Sequence, residues 1–238
     1  MKLDILAFGA HPDDVELSCS GTILKHIHLG KKVGIVDLTR GELGTRGTPE
    51  IRFEEAKSAA KILGVVVRDN LNLEDGFFRN DKESQLKVIK KIRQYQPEIV
   101  LTNAIHDRHP DHGRASQIVT EACFLAGLLK IETEMDGKLQ LAWRPKAVYN
   151  YIQYWNTTPS FVIDISDFIE KKMEAVRAFG SQFYNPASVE PSTLISQPEF
   201  LDGIMRRAED MGKIIGVKYG EGFTADDYTG VKNVSVIS

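Results

Sequence analysis

Cys19 and Cys123 are the only cysteines in 238 residues, too few for a disulfide framework and without the spacing of a thiolate metal site. Each falls inside a predicted helix, where cysteine serves as a small buried apolar residue. No apolar stretch approaches the ~20 residues needed to span a bilayer, and Met1-Lys2-Leu3-Asp4 lacks a signal-peptide pattern, so a reducing cytoplasm is the expected location and no membrane partner is expected. A basic excess is also missing: 30 Lys and Arg face 33 Asp and Glu, for a net charge of -3. Lys31-Lys32, Lys90-Lys91 and Lys171-Lys172 read as solvated helix ends, not as the positive stripe of a nucleic-acid binder. The turn after the first apolar run is Gly9-Ala10-His11-Pro12-Asp13-Asp14 rather than a Gly-x-Gly-x-x-Gly phosphate cradle, and its carboxylates repel phosphate unless a cation intervenes, which disfavours a nucleotide-binding module. The chain has no internal repeat and no low-complexity tract.

What is present is a regular alternation of short apolar runs and helix-like segments. Leu3 to Phe8, Val33 to Leu38, Val65 to Val67 (with Leu71 to Leu73) and Ile99 to Leu101 read as buried strands. Between them, Val15 to Leu29 has helical apolar spacing with Gly30 as its stop, Pro49 opens a helix ending before Gly64, and Leu86, Ile89 and Ile92 mark another. Farther on, 147–154 and 161–165 are expected strands, 167–179 a helix, 181–198 a long surface loop and 200–215 a last helix, followed by Tyr219 to Phe223. This order predicts one α/β domain over 1–238, a Rossmann-like three-layer α/β/α sandwich with a mostly parallel sheet, less regular over 181–238.

Two strings carry the chemistry. His11-Pro12-Asp13-Asp14 follows the first strand and His109-Pro110-Asp111-His112 follows the fourth. Ligands of open α/β sheets bind beyond the carboxyl ends of the strands where strand order reverses, so residues about 95 positions apart can share one site. His11 and Asp14 stand one helical turn apart, and His112 supplies a third ligand, leaving a fourth position of a zinc ion for water. Ferrous iron and cobalt suit the same nitrogen and oxygen ligands. Asp13 is then placed to take a proton from that water, and His109 to carry a proton and stabilise charge on the carbonyl oxygen or leaving amine, with Asp111 orienting His109. Asp after His-Pro can also be simple helix-starting chemistry, but two such strings after parallel strands point to a metal-dependent hydrolase. The Gly-rich loop Arg40 to Gly47, with Glu42, leaves the second strand and lines the same cleft. Arg52 on the next helix is placed to bind sugar hydroxyls or a carboxylate. His106 and Asp107 can equally be exposed loop residues and fall outside the expected site.

Ala10-His11-Pro12-Asp13-Asp14, Gly41-Glu42 followed by Arg52 and Glu55, and His109-Pro110-Asp111-His112 together resemble the LmbE-like, or PIG-L, deacetylases over most of the chain. The tail Gly216 to Phe223 is similar to the branch of bacillithiol biosynthesis deacetylases. The resemblance implies a Rossmann-like fold and zinc-dependent removal of acetyl from an N-acetylglucosamine unit. His11, Asp14 and His112 would be the zinc ligands, Asp13 the general base, His109 the oxyanion-stabilising acid and Arg52 a substrate anchor, with Glu42 beside it. For the narrower branch it implies N-acetylglucosaminyl malate as substrate, with acetate and glucosaminyl malate as products. It also implies a mobile tyrosine near the amide, which no motif here places, and a homo-oligomer, with hexamers known. A thiol conjugate or a chitooligosaccharide is the alternative substrate.

Overall fold

The computed structural model describes residues 1–225; the last part of the expected irregular tail lies outside the described residues. Seven strands form one sheet in the order β3-β2-β1-β4-β7-β9-β8. They are β1 (Ile5–Gly9), β2 (Val33–Thr39), β3 (Val67–Leu73), β4 (Ile99–Thr102), β7 (Ala147–Tyr151), β8 (Phe161–Asp164) and β9 (Gly220–Thr224). The five from β3 to β7 are parallel, while β9 runs antiparallel to both β7 and β8. The expected α/β fold with a mostly parallel sheet is the observed one. A separate hairpin, β5 (Glu134–Met135) with β6 (Lys138–Leu139), was not anticipated; its strands are too short to show an apolar period.

β1 is buried along its whole length, as befits a central parallel strand covered on both faces. On one face Phe8, Val36 and Val100 meet α3 (Lys82–Tyr95) and α4 (Pro110–Leu125). On the other, Ala7, Ile35 and Leu101 meet α1 (Asp14–His28), with α2 (Pro49–Leu63) and α5 (Ile169–Arg177) beside it. Local chemistry fixes the helix ends. Thr48 Oγ1 accepts from the Ile51 N–H, with Pro49 in the first turn, and Gly64 closes α2 at φ 78°. The Asp81 carboxylate caps α3 through the Ser84 N–H.

The chain reverses its order between β1 and β4, which pair directly. The loops leaving these two strands carry the two His/Asp strings, side by side. The last helix, α6 (Pro198–Ile214), packs on β8 and β9 and faces the same end of the sheet. No helix among the described residues is long and apolar enough to cross a membrane.

Candidate active site

The first string is held in an uncommon conformation. Asp13, the residue before α1, has φ 119°, a left-handed region that a non-glycine residue occupies at a cost of about 1–3 kcal/mol. Arg52 compensates from α2. Its guanidinium donates to the Pro12 carbonyl, to Gly41 O at 3.3 Å and to Asp13 Oδ2 at 3.0 Å. Burial pushes the Asp13 carboxyl up, to about 7, against the pull of Arg52 in the other direction.

Asp14 is the hub. Its Oδ2 lies 3.6 Å from His11 Nδ1, and its Oδ1 lies 3.1 Å from His112 Nε2. The His11 N–H, Asn103 Nδ2 and Gln153 Nε2 donate to its carboxylate at 2.9, 2.9 and 3.1 Å. Burial alone would raise the Asp14 pKa, but the His112 and His11 imidazoles beside it hold it well below the usual carboxylate range. The far nitrogen of each imidazole meets a carboxylate: His11 Nε2 is 2.9 Å from Asp75 Oδ1 and 3.3 Å from Asp111 Oδ2, and His112 Nδ1 is 2.5 Å from Asp107 Oδ2. A carboxylate on the outer ring nitrogen is the arrangement that fixes tautomer and ring direction in metal-ligating histidines. His11, Asp14 and His112 therefore fit a divalent cation as one nitrogen, oxygen, nitrogen set. Among the described residues, the groupings whose donors all lie within 4.8 Å of one another are His11 with His109 and His112, and His11 with Asp75 and Asp111. The second uses the outer nitrogen of His11, and Arg114 Nη1 sits 2.8 Å from Asp111 there, which disfavours a cation at that point.

His109 caps α4, accepting at Nδ1 from the Asp111 N–H at 3.3 Å. Its neutral form thus carries the proton on Nε2. Burial, then the two neighbouring imidazoles, lower its pKa, so the neutral ring is favoured rather than the imidazolium. Its ring centroid lies 4.6 Å from that of His11 and 5.2 Å from that of His112.

Six of the eight expected site residues share one cavity wall. His11, Asp13, Asp14, Arg52, His109 and His112 line a cavity of about 1200 Å³. Asp111 is fully buried behind His11. Its carboxylate accepts from the Gly76 N–H and pairs with Arg114, so the expected orienting of His109 by that carboxylate is corrected: the main-chain N–H of Asp111 does it. Arg52 is 4 % exposed and spent on Asp13 and two carbonyls, which makes it a support of the loop more than a free anchor. Glu42 does not line the cavity; it accepts from the Asp75 and Arg40 N–H groups and braces the loop carrying Asp75. Asp75, Asp107, Asn103 and Gln153 were missed. All four follow carboxyl ends of strands, the position that singled out the two strings, and Asp107 stands within His106-Asp107-Arg108-His109 itself.

Residues 6–123 match the family described as PIG-L, GlcNAc-PI de-N-acetylase. A diacetylchitobiose deacetylase of Thermococcus kodakarensis is 32 % identical over 189 residues, covering 75 % of this chain and 70 % of that one. The chain belongs to the PIG-L family. It is an N-deacetylase of that family, and the His/Asp cluster marks it as metal-dependent. A probable N-acetyl-alpha-D-glucosaminyl L-malate deacetylase 2 of Bacillus anthracis is 27 % identical over 192 residues, 75 % of this chain and 81 % of that one. Among solved structures, a conserved protein from Thermus thermophilus superposes with a TM-score of 0.85 at 35 % identity, over 97 % of this chain and 98 % of that one.

Proposed function

We propose that this PIG-L deacetylase is zinc-dependent and removes the acetyl group from an N-acetylglucosaminyl conjugate whose other half is anionic, N-acetylglucosaminyl malate being the substrate. The observation that carries the reading is the pair of imidazoles, each tethered by a carboxylate on its outer nitrogen and both turned toward Asp14. Zinc held by His11, Asp14 and His112 would supply Lewis acidity to the amide carbonyl and to a water. Asp13, its pKa brought by burial to about 7, accepts the proton of the attacking water. His109 offers its Nε2–H as a hydrogen bond to the carbonyl oxygen, and the proton taken up by Asp13 passes to the departing sugar amine. Arg52 keeps Asp13 aimed into the cavity.

The anionic aglycone is supported by charge at the cavity wall. Arg108, Arg206 and Arg207 line it beside Glu199 and Asp210; the three arginines form no ion pair among the described residues, and Arg207 Nη2 donates to Tyr154 O at 3.0 Å. A dicarboxylate would give these guanidinium groups a charged partner, which neutral diacetylchitobiose lacks. A cytoplasmic homo-oligomer, up to a hexamer, belongs to the same proposal. The test is acetate release from N-acetylglucosaminyl malate, N,N′-diacetylchitobiose and free N-acetylglucosamine, with and without a chelator. Preference for the malate conjugate, abolished by chelation, is expected. Equal or faster turnover of the disaccharide would overturn the choice of substrate, and chelator-resistant activity the choice of metal.

A further inference from the structure

Lys172 on α5 and Glu221 on β9 form an ion pair that the chemistry above does not use. Both are almost completely buried, with Nζ 2.7 Å from Oε1. Their remaining hydrogen bonds go to one place, the backbone of α1. Lys172 Nζ donates to Leu17 O at 2.8 Å, while the Gly21 N–H and Thr22 N–H donate to the two Glu221 oxygens at 3.0 and 2.7 Å. The approach is possible because position 21 has no side chain. A Cβ on Gly21 would fall 2.7 Å from Ile165, and the helix would be driven off β8 and β9.

Burying a lysine and a glutamate costs several kcal/mol of solvation, and an apolar pair of similar volume is often as stable. Such a pair therefore does little for stability that packing could not do. It does fix where α1 sits along its own axis, because an ammonium and a carboxylate grip helix groups on successive turns. The N-terminal end of that helix is the metal site. Leu17, whose carbonyl Lys172 holds, donates its own N–H to the Asp13 carbonyl at 2.9 Å, and Asp14 is the first residue of the helix. Leu17 and Ser18 also line the active-site cavity.

We propose that Lys172 and Glu221 are positioning residues that set the axial placement of α1, and through it the geometry of Asp13 and Asp14. The inference rests on the metal-site reading above. Two variants test it. Glu221→Asp keeps the charge opposite Lys172 and withdraws both oxygens from α1 by one methylene. The double variant Lys172→Met with Glu221→Met replaces the pair by apolar volume, which restores stability if stability was its role. Zinc affinity of metal-stripped protein is measured by competition with a chromophoric chelator. In parallel, kcat and KM are measured for acetate release from N-acetylglucosaminyl malate, well below the unfolding temperature of each variant.

The expected result is native circular dichroism in both variants, with zinc bound about tenfold more weakly, the low end of what loss of an orienting partner does to a metal site. kcat should fall with KM little changed. Unchanged zinc affinity and kcat in the folded double variant would overturn the proposal, as would failure of both variants to fold, which would make the pair a folding requirement alone. Wild-type protein that binds no zinc would overturn the metal-site reading and this inference together, an outcome distinct from either of the others.

Discussion

Asp13 and Asp14 are chemically identical neighbours, and their surroundings divide the work between them. Asp14 is ringed by imidazoles and amide donors that favour its ionised form. Asp13 faces one guanidinium and is dominated by burial, so its proton is held far more tightly. The Asp13→Asn variant isolates that difference, because asparagine also tolerates the left-handed backbone at this position. It should retain zinc by metal analysis while kcat falls about 10²- to 10⁴-fold, the usual worth of a positioned general base. Asp107 acts at one remove. It holds His112 Nδ1 and accepts from the Tyr154 and Trp155 N–H groups through its other oxygen. Asp107→Ala should weaken zinc binding about 10- to 100-fold in a chelator competition, with the protein still folded. Both residues sit within a few positions of the strings that drew attention in the sequence, yet only Asp13 was legible. A residue inside a His/Asp string is recognised by its chemical type and spacing, whereas an orienting carboxylate is recognised only when its neighbour in space is known.

Among the elements, the legible strands are those whose apolar runs are unbroken. β1, β2 and β4 are covered on both faces and read as continuous hydrophobic segments. β3 is one strand from Val67 to Leu73, whereas its sequence divides into two apolar fragments around Arg68, Asp69 and Asn70. Those polar residues are paired in place: Arg68 reaches Asp37 on β2 at 2.8 Å and Glu16 on α1 at 2.5 Å, and Asp69 takes Lys91. β9 escaped notice for the opposite reason. Gly220 and Gly222 have no apolar side chains to signal a strand, yet a Cβ at either would meet Val162 or Met211 within 2.8 Å, so only a bare backbone fits between β7, β8 and α6. Helix ends were legible where Pro49 and Gly64 act locally, whereas the Thr48 and Asp81 caps were seen only in the structure. Thr48→Ala should cost about 1 kcal/mol, seen as a shift of about 2–4 °C in the thermal midpoint for a protein of this size, with kcat unaffected.

For the molecule as a whole, the alternation of strands and helices predicted the sheet, and the reversal of strand order predicted the meeting of the two strings. A long loop such as 181–198 over an α/β sheet is of the kind that shapes a pocket, and it lines the cavity here; the part played by α6 was not legible, since such contacts depend on single distant partners. Arg46, for example, bonds Ser181 O and Ser188 Oγ, and Glu55 takes the Ser181 N–H. Because the proposed ligands His11, Asp14 and His112 come from two loops that meet only in the folded state, a cation held by them would stabilise the whole chain. Zinc at one hundred times its dissociation constant should add about 2.7 kcal/mol. Differential scanning calorimetry with zinc added to chelator-treated protein should show the midpoint rising with metal concentration.

The position of β9 has a further consequence for biosynthesis. This segment follows the other six strands of the sheet in chain order, yet it sits inside the sheet, hydrogen-bonded to a neighbour on each side. Until it emerges, β7 and β8 each present an unpaired edge, Lys172 has no counter-ion, and α1 lacks two acceptors. Residues 220–224 must therefore be in place before β7, β8 and α1 reach their final partners. A chain lacking them would be left with adhesive strand edges.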